Sequence, residues 1–272
     1  MSKDYRMDLP KQAAVDPVGT ILEITRLFDD LNRWWETNRS PILKLAEWAS
    51  VSLQRAQILE EAGWLPHYTT PDFPSTMAPE AACESLLRHY CDNWPTVEAA
   101  FRERLSNYVI DEEAKACFSE ALKAHAQGLY RVAPRLLFPE IERLVRQDLI
   151  PAPDAGLRGV RIASDQLGLS NLHRSGFLSL RLYDTFTRHM YARAKTEEER
   201  ARILADPVPN RHASLHGIVV YNSVQSSINA LIMAEFVLLT VSALSNIHAN
   251  ADAPLSLAAD EWLREGPYAL KL

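Results

Sequence analysis

The densest chemistry in this 272-residue chain lies in Pro209-Asn210-Arg211-His212-Ala213-Ser214-Leu215-His216-Gly217. An arginine can hold a phosphate with two parallel hydrogen bonds. A histidine titrates close enough to neutrality to move a proton in a reaction. Arg211 and His216 therefore suffice for RNA cleavage by the neighbouring 2′-hydroxyl, which needs a proton acceptor and a cation on the phosphoryl group. On one straight helix, residues five apart are turned by about 140°. The two side chains are thus expected to reach a groove from either side rather than to share a face. His212 and His216 are four apart and do share a face. They support a second chemistry, a metal held by a His-x-x-x-His pair and a third ligand such as Glu142. A third reading is plainer: histidines at a helix start cap the helix or face solvent.

Several residues frame this stretch. Asn210 is the natural N-cap for a helix starting at Arg211. Tyr221 and Asn222 follow the motif and are candidates to bond phosphate or orient His216. Glu142 is expected either to orient a histidine across the fold or to pair with an arginine. Arg174, Arg181 and Arg188 recur every seven residues, which drifts by only about 20° per step along a helix. That stripe can follow an RNA backbone or be a solvated face. His125, Tyr130 and Arg131 are expected on a neighbouring helix.

The elements that must position these groups are helical. Nine glycines in 272 residues suit an all-α protein. Ile21, Ile24, Leu27, Phe28, Leu31, Trp34 and Trp35 recur at helical spacing from Pro17. Ser40-Pro41 predicts a break and a new helix running to about Ala62, stopped by Gly63. Pro66, Pro71, Pro74 and Pro79 mark a rigid loop. Helices are expected from Pro79 to Cys91, Pro95 to Tyr108 and Asp111 to Gly128. Pro134 and Pro139 predict a kink or split between Leu129 and Leu149. A loop around 150–160, a long helix over Ser170–Ala194, and a capped helix from Thr196 to Ala205 follow. The last long helix is expected from Asn210 to Ile247, with Gly217 as a candidate break. A short helix near Leu257–Arg264 closes the chain.

Bulk properties narrow the function. The net charge of −6 argues against indiscriminate nucleic-acid binding. Residues 131–211 nevertheless carry 14 basic against 10 acidic side chains, and 13 of the 14 are arginines. This bias suits phosphate recognition, or else salt bridges to Glu197, Glu198 and Glu199. The polar N-terminus lacks a secretory pattern. Ile228–Leu244 is short for a membrane span and contains Asn229 and Glu235, so it reads as a core helix. Cys83, Cys91 and Cys117 form no CxxC pair and are expected to stay reduced in a cytoplasmic protein.

The segment from Pro209 to Leu239 resembles the C-terminal signature of bacterial HEPN-like proteins. In that signature a proline and a polar residue precede an Arg-His-x-x-x-His-Gly string, and a tyrosine, a polar patch and a leucine-rich helix follow. Arg211 and His216 match the HEPN arginine and histidine, and His212 fits the residue after the arginine. Glu120–His125, Gly128–Arg131 and Leu136–Leu144, with Glu140 and Glu142, are similar to the preceding helix pair. The resemblance covers about residues 111–245.

It implies an antiparallel helical bundle over 111–272, with additional helices in an N-terminal region, 1–110. It also implies a homodimer that brings two motifs into one cleft. The implied activity is metal-independent endoribonuclease action on RNA in phage defence or toxin-like growth control. No cofactor is required, and an antitoxin or defence partner is expected. Within it, Arg211 clamps phosphate, His216 acts as base or acid, and His212 supports. The alternative is a non-catalytic helical module that binds RNA or protein through the same dimer cleft.

Overall fold

The computed structural model describes residues 17–144, 146–147, 189–190, 192–193 and 196–249. The expected helix over 170–194 with Arg174, Arg181 and Arg188, the N-terminal arm and the helix near 257–264 lie outside, or almost wholly outside, these residues. What is described is all-α, with no strand among the described residues. In order come α1 (Pro17–Glu61), α2 (Pro79–Asp92), α3 (Trp94–Asn107), α4 (Glu112–Ala126) and α5 (Val132–Leu144). After them come α6 (Glu197–Ala205), α7 (Arg211–Leu215) and α8 (Val224–Ala249).

The chain divides into two compact units at Ser50 and Val51. In the first, α1 runs through Pro41 without the expected break. A proline inside a helix removes one backbone donor. The helix is solvent-exposed around Thr37, whose carbonyl loses its partner there, so water can replace the bond. Phe28, Leu31, Trp34 and Trp35 form an exposed apolar row on this helix, with Phe28 61% exposed.

In the second unit, α8 is the central element and packs against α2, α4 and α5. Ile228, Ala230, Leu231, Ile232, Ala234 and Val237 are all fully buried, and together they cover every side of the helix. The window Val224–Ala243 is long and apolar enough to cross a membrane, yet 89% of it is buried inside the fold. It is a core helix, as its composition suggested. Trp64 stacks on Tyr90 at 5.1 Å, and Phe101 meets Phe118 at 5.8 Å in the same core.

Local signals end and start these helices. At the end of α1, the Trp64 amide donates to the Leu59 carbonyl (2.8 Å) and the Gly63 amide to Glu60 (3.0 Å). This is the Schellman arrangement, with Gly63 at φ 72°. A Cβ on Gly63 would also run into the Pro207 ring. Asp111 caps α4 by accepting from the Ala114 amide, and Thr196 with Glu199 forms the expected capping box on α6. Pro139 sits inside an unsplit α5. The carbonyl it leaves without a helical partner belongs to exposed Arg135.

Candidate functional site

The motif does not open the last long helix. It forms its own short helix, α7, and eight residues, 216–223, then lead to α8. The reason is Gly217, at φ 69°. The Ile218 amide donates to Ala213 (2.9 Å) and the Gly217 amide to Ser214 (3.4 Å), closing α7 after one and a half turns. His216 becomes the C-cap residue at the exposed end, its amide still donating to the His212 carbonyl at 3.1 Å.

Asn210 holds the other end. Its Oδ1 accepts from the Ala213 amide at 2.9 Å. Its Nδ2 donates to the carbonyls of His189 (2.7 Å) and Ala192 (2.9 Å). Its backbone amide donates to the Tyr221 hydroxyl at 3.1 Å. Asn210 is 0% exposed, and these bonds occupy its side-chain amide. Tyr221 is buried too, and burial pushes its phenol up to about 12. The hydroxyl also donates to the Ile203 carbonyl at 3.4 Å. Asn210 and Tyr221 therefore lock α7 in place and do not reach outward to a ligand. Asn222 is exposed on the loop beyond them.

Arg211, the first residue of α7, turns toward α5. Its Nη2 donates to Glu142 Oε2 at 2.8 Å, and its Nε meets Glu142 Oε1. This is a close arginine–carboxylate ion pair with one charge-assisted hydrogen bond. Arg146 approaches the same carboxylate at 4.0 Å. Glu142 thus pairs with an arginine, the second of its two expected roles, and does not orient a histidine. A bound phosphate would have to share Arg211 with Glu142 or displace it.

The two histidines do come together. Their rings lie 4.4 Å apart, with His212 half-buried and His216 exposed. Partial burial holds the His212 imidazole below its ordinary value, and the charges of His216, Arg193 and Arg211 add to that. The neutral form of His212 is therefore favoured, beside the guanidinium groups of Arg193 and Arg211. A cleft of about 150 Å3 opens beside it, lined by Arg200, Ile203, Asn210, His212, Ala213 and Ile218. The metal alternative is not assembled: Glu142 is engaged by Arg211, and no group of three or more His, Cys, Asp or Glu side chains that could hold a metal occurs among the described residues.

A second polar cluster escaped the sequence reading. Glu235, 3% exposed in the middle of α8, accepts from His67 Nε2 (2.5 Å), Tyr68 (2.9 Å) and Tyr108 (3.1 Å). The Thr69 amide donates to His67 Nδ1 (3.4 Å), which assigns the ring proton to Nε2. Burial outweighs the attraction of Glu235 and keeps the His67 imidazole below its ordinary value. The Arg104 guanidinium lies 3.2 Å from the centre of the Tyr68 ring. Nearby, Asn229 takes the Leu65 amide (3.0 Å) and donates to the Gly63 carbonyl (2.9 Å). These bonds tie the proline-rich loop to α8, since a buried polar group needs its partners. The signal in the sequence was a carboxylate inside an apolar run, but its partners lie more than 120 residues away. His125 is likewise buried, with Nδ1 2.8 Å from Ser227 Oγ and its ring 4.0 Å from that of Trp94.

Comparison of this chain with protein-family models, with curated proteins and with solved structures finds no match.

Proposed function

We propose that this protein is a metal-independent endoribonuclease of the HEPN type. The observation that carries the reading is the pair of imidazoles at 4.4 Å on the exposed end of α7, one of them favoured in its neutral form beside Arg211. Two adjacent imidazoles can divide the work of base and acid. One removes the proton of the 2′-hydroxyl, whose oxygen attacks phosphorus. The P–O5′ bond breaks, and the other imidazole, protonated, gives its proton to the departing 5′-oxygen. The products are a 2′,3′-cyclic phosphate and a 5′-hydroxyl. Arg211 stabilises the added negative charge at phosphorus, and Glu142 holds its guanidinium in place until then. His216 is the primary proton carrier and His212 its partner.

No cofactor enters this scheme. The natural partners are RNA, a second copy of the chain, and an antitoxin or defence protein that restrains the cut. The setting is the cytoplasm. The exposed row Phe28, Leu31, Trp34 and Trp35 offers a surface for self-association. The α8 helix does not, because its apolar side chains are spent on the core.

A second reading has its own observation. Glu142 already engages the Arg211 guanidinium, which favours a non-catalytic module that binds RNA or protein. Cleavage of a labelled single-stranded RNA in the presence of chelator separates the two. Under the nuclease reading, Arg211→Ala and His216→Ala each lower the rate by about 10²–10⁴-fold while the fold survives. The pH profile is bell-shaped. No cleavage by the wild type, with RNA binding intact, replaces the nuclease by the binding module.

A further inference from the structure

Of the residues that line the cleft beside His212, His212 alone enters the chemistry just described. The walls of the cleft differ in kind. Ile203, Ala213 and Ile218 supply apolar surface, while His212 and Arg200 supply donors at the rim. Ile218 and its neighbour Val220 are large apolar side chains left 37% and 53% exposed on the loop after α7. Its volume of about 150 Å3 holds several waters. That is well below the roughly 300 Å3 at which pockets for drug-sized ligands begin. The space suits one flat ring system and not a longer chain segment. His212 feels Arg193 and Arg211, and Arg200 makes a 3.9 Å contact with the exposed Glu197.

We propose that this cleft is a nucleobase site. It takes the base of one unstacked nucleotide between Ile203 and Ile218, with that nucleotide's phosphate lying among His212, Arg211 and Arg200. The inference rests on the reading that the motif engages RNA, and it specifies the form of the substrate. A base can enter such a cleft only after leaving a helix, so the substrate is single-stranded or looped RNA. Apolar contact with a base face tolerates many sequences, because every base has such a face. Sequence preference is therefore weak at this position and set mainly by ring size.

The test is a titration of the full chain followed by NMR, with the imidazole and isoleucine methyl signals as reporters. Three probes are compared: inorganic phosphate, a nucleoside, and the corresponding nucleoside 3′-monophosphate. The expected result is that the 3′-monophosphate binds at least about tenfold more tightly than phosphate. Ile218 and His212 signals should shift together. Ile218→Trp places a large side chain at an exposed position, so folding is preserved, and it fills the cleft. It should abolish the tenfold advantage and leave phosphate affinity within about twofold. Equal binding of phosphate and nucleotide, or an undiminished advantage in Ile218→Trp, overturns the proposal. The underlying reading fails separately. A nucleotide that binds here while RNA goes uncut removes the nuclease and keeps the base site. RNA cleavage indifferent to Ile218→Trp keeps the nuclease and removes the base site.

Discussion

His125 makes the stability of this protein depend on pH in a calculable way. The ring is buried between α4 and α8, against Trp94 and Tyr130, with Ser227 as its hydrogen-bond partner. Burial lowers its pKa from 6.5 to about 4. The unfolded chain therefore takes up a proton more readily than the folded one. The stability from this group is fully present above pH 6.5 and is lost as pH falls toward 4. Integrated from pH 7 to pH 4, the loss is about 3 kcal/mol. His67, whose pKa is also lowered by burial, adds to the loss with the same sign. His125→Asn keeps a polar atom near the position of Nδ1 and removes the titration. At pH 7 it gives up ring packing on Trp94 and Tyr130, a cost of about 2 kcal/mol. The stability curves of wild type and variant should then cross near about pH 5, where the protonation penalty of the wild type reaches the same size. Urea denaturation across pH 4 to 7 measures this directly. Differences between the two proteins cancel the contribution of the carboxylates. A difference that stays constant over that range refutes the reasoning, because the ring would then titrate alike in both states.

Two further outcomes follow from the packing. Glu235→Ala leaves His67, Tyr68 and Tyr108 without their shared acceptor and should cost about 4 kcal/mol in urea denaturation, whereas Glu235→Gln, which keeps one acceptor oxygen, should cost about half as much. A loss under about 1 kcal/mol for the alanine variant would mean that water satisfies those donors. Gly63→Ala and Gly217→Ala share a positive φ but differ in their surroundings: nothing lies within 4 Å of a Cβ on Gly217, while Pro207 blocks one on Gly63. Gly217→Ala should cost about 1 kcal/mol and Gly63→Ala about 2–4 kcal/mol, and equal costs would contradict the close approach of Pro207.

Helix existence was legible in the sequence because it depends on local spacing and caps. Thr196 with Glu199, Asp111 and Asn210 each start the helix that their side chains suggest. Pro41 misled, since it lies within a helix at a place where solvent can replace the missing bond, whereas a single helix containing Pro139 is one of the two outcomes expected there. The candidate site was legible in part. The nearness of His212 and His216 follows from a four-residue step. The break at Gly217, which makes His216 a cap and not a mid-helix residue, was one of two open options.

The chain's own order of residues determined that it is all-α, that α8 is a core helix, and that Arg211, His212 and His216 cluster within a few residues. Those properties arise from hydrophobic period, capping and short-range steps along one backbone. Only the tertiary structure decided that Arg211 faces Glu142, 69 residues away, and that Glu235 meets His67, 168 residues away. It also decided that Asn210 and Tyr221 turn inward. Such pairings depend on how helices cross, and nothing in the local pattern encodes a crossing. They are settled by the cost of leaving a buried polar group unpaired once the apolar faces have closed.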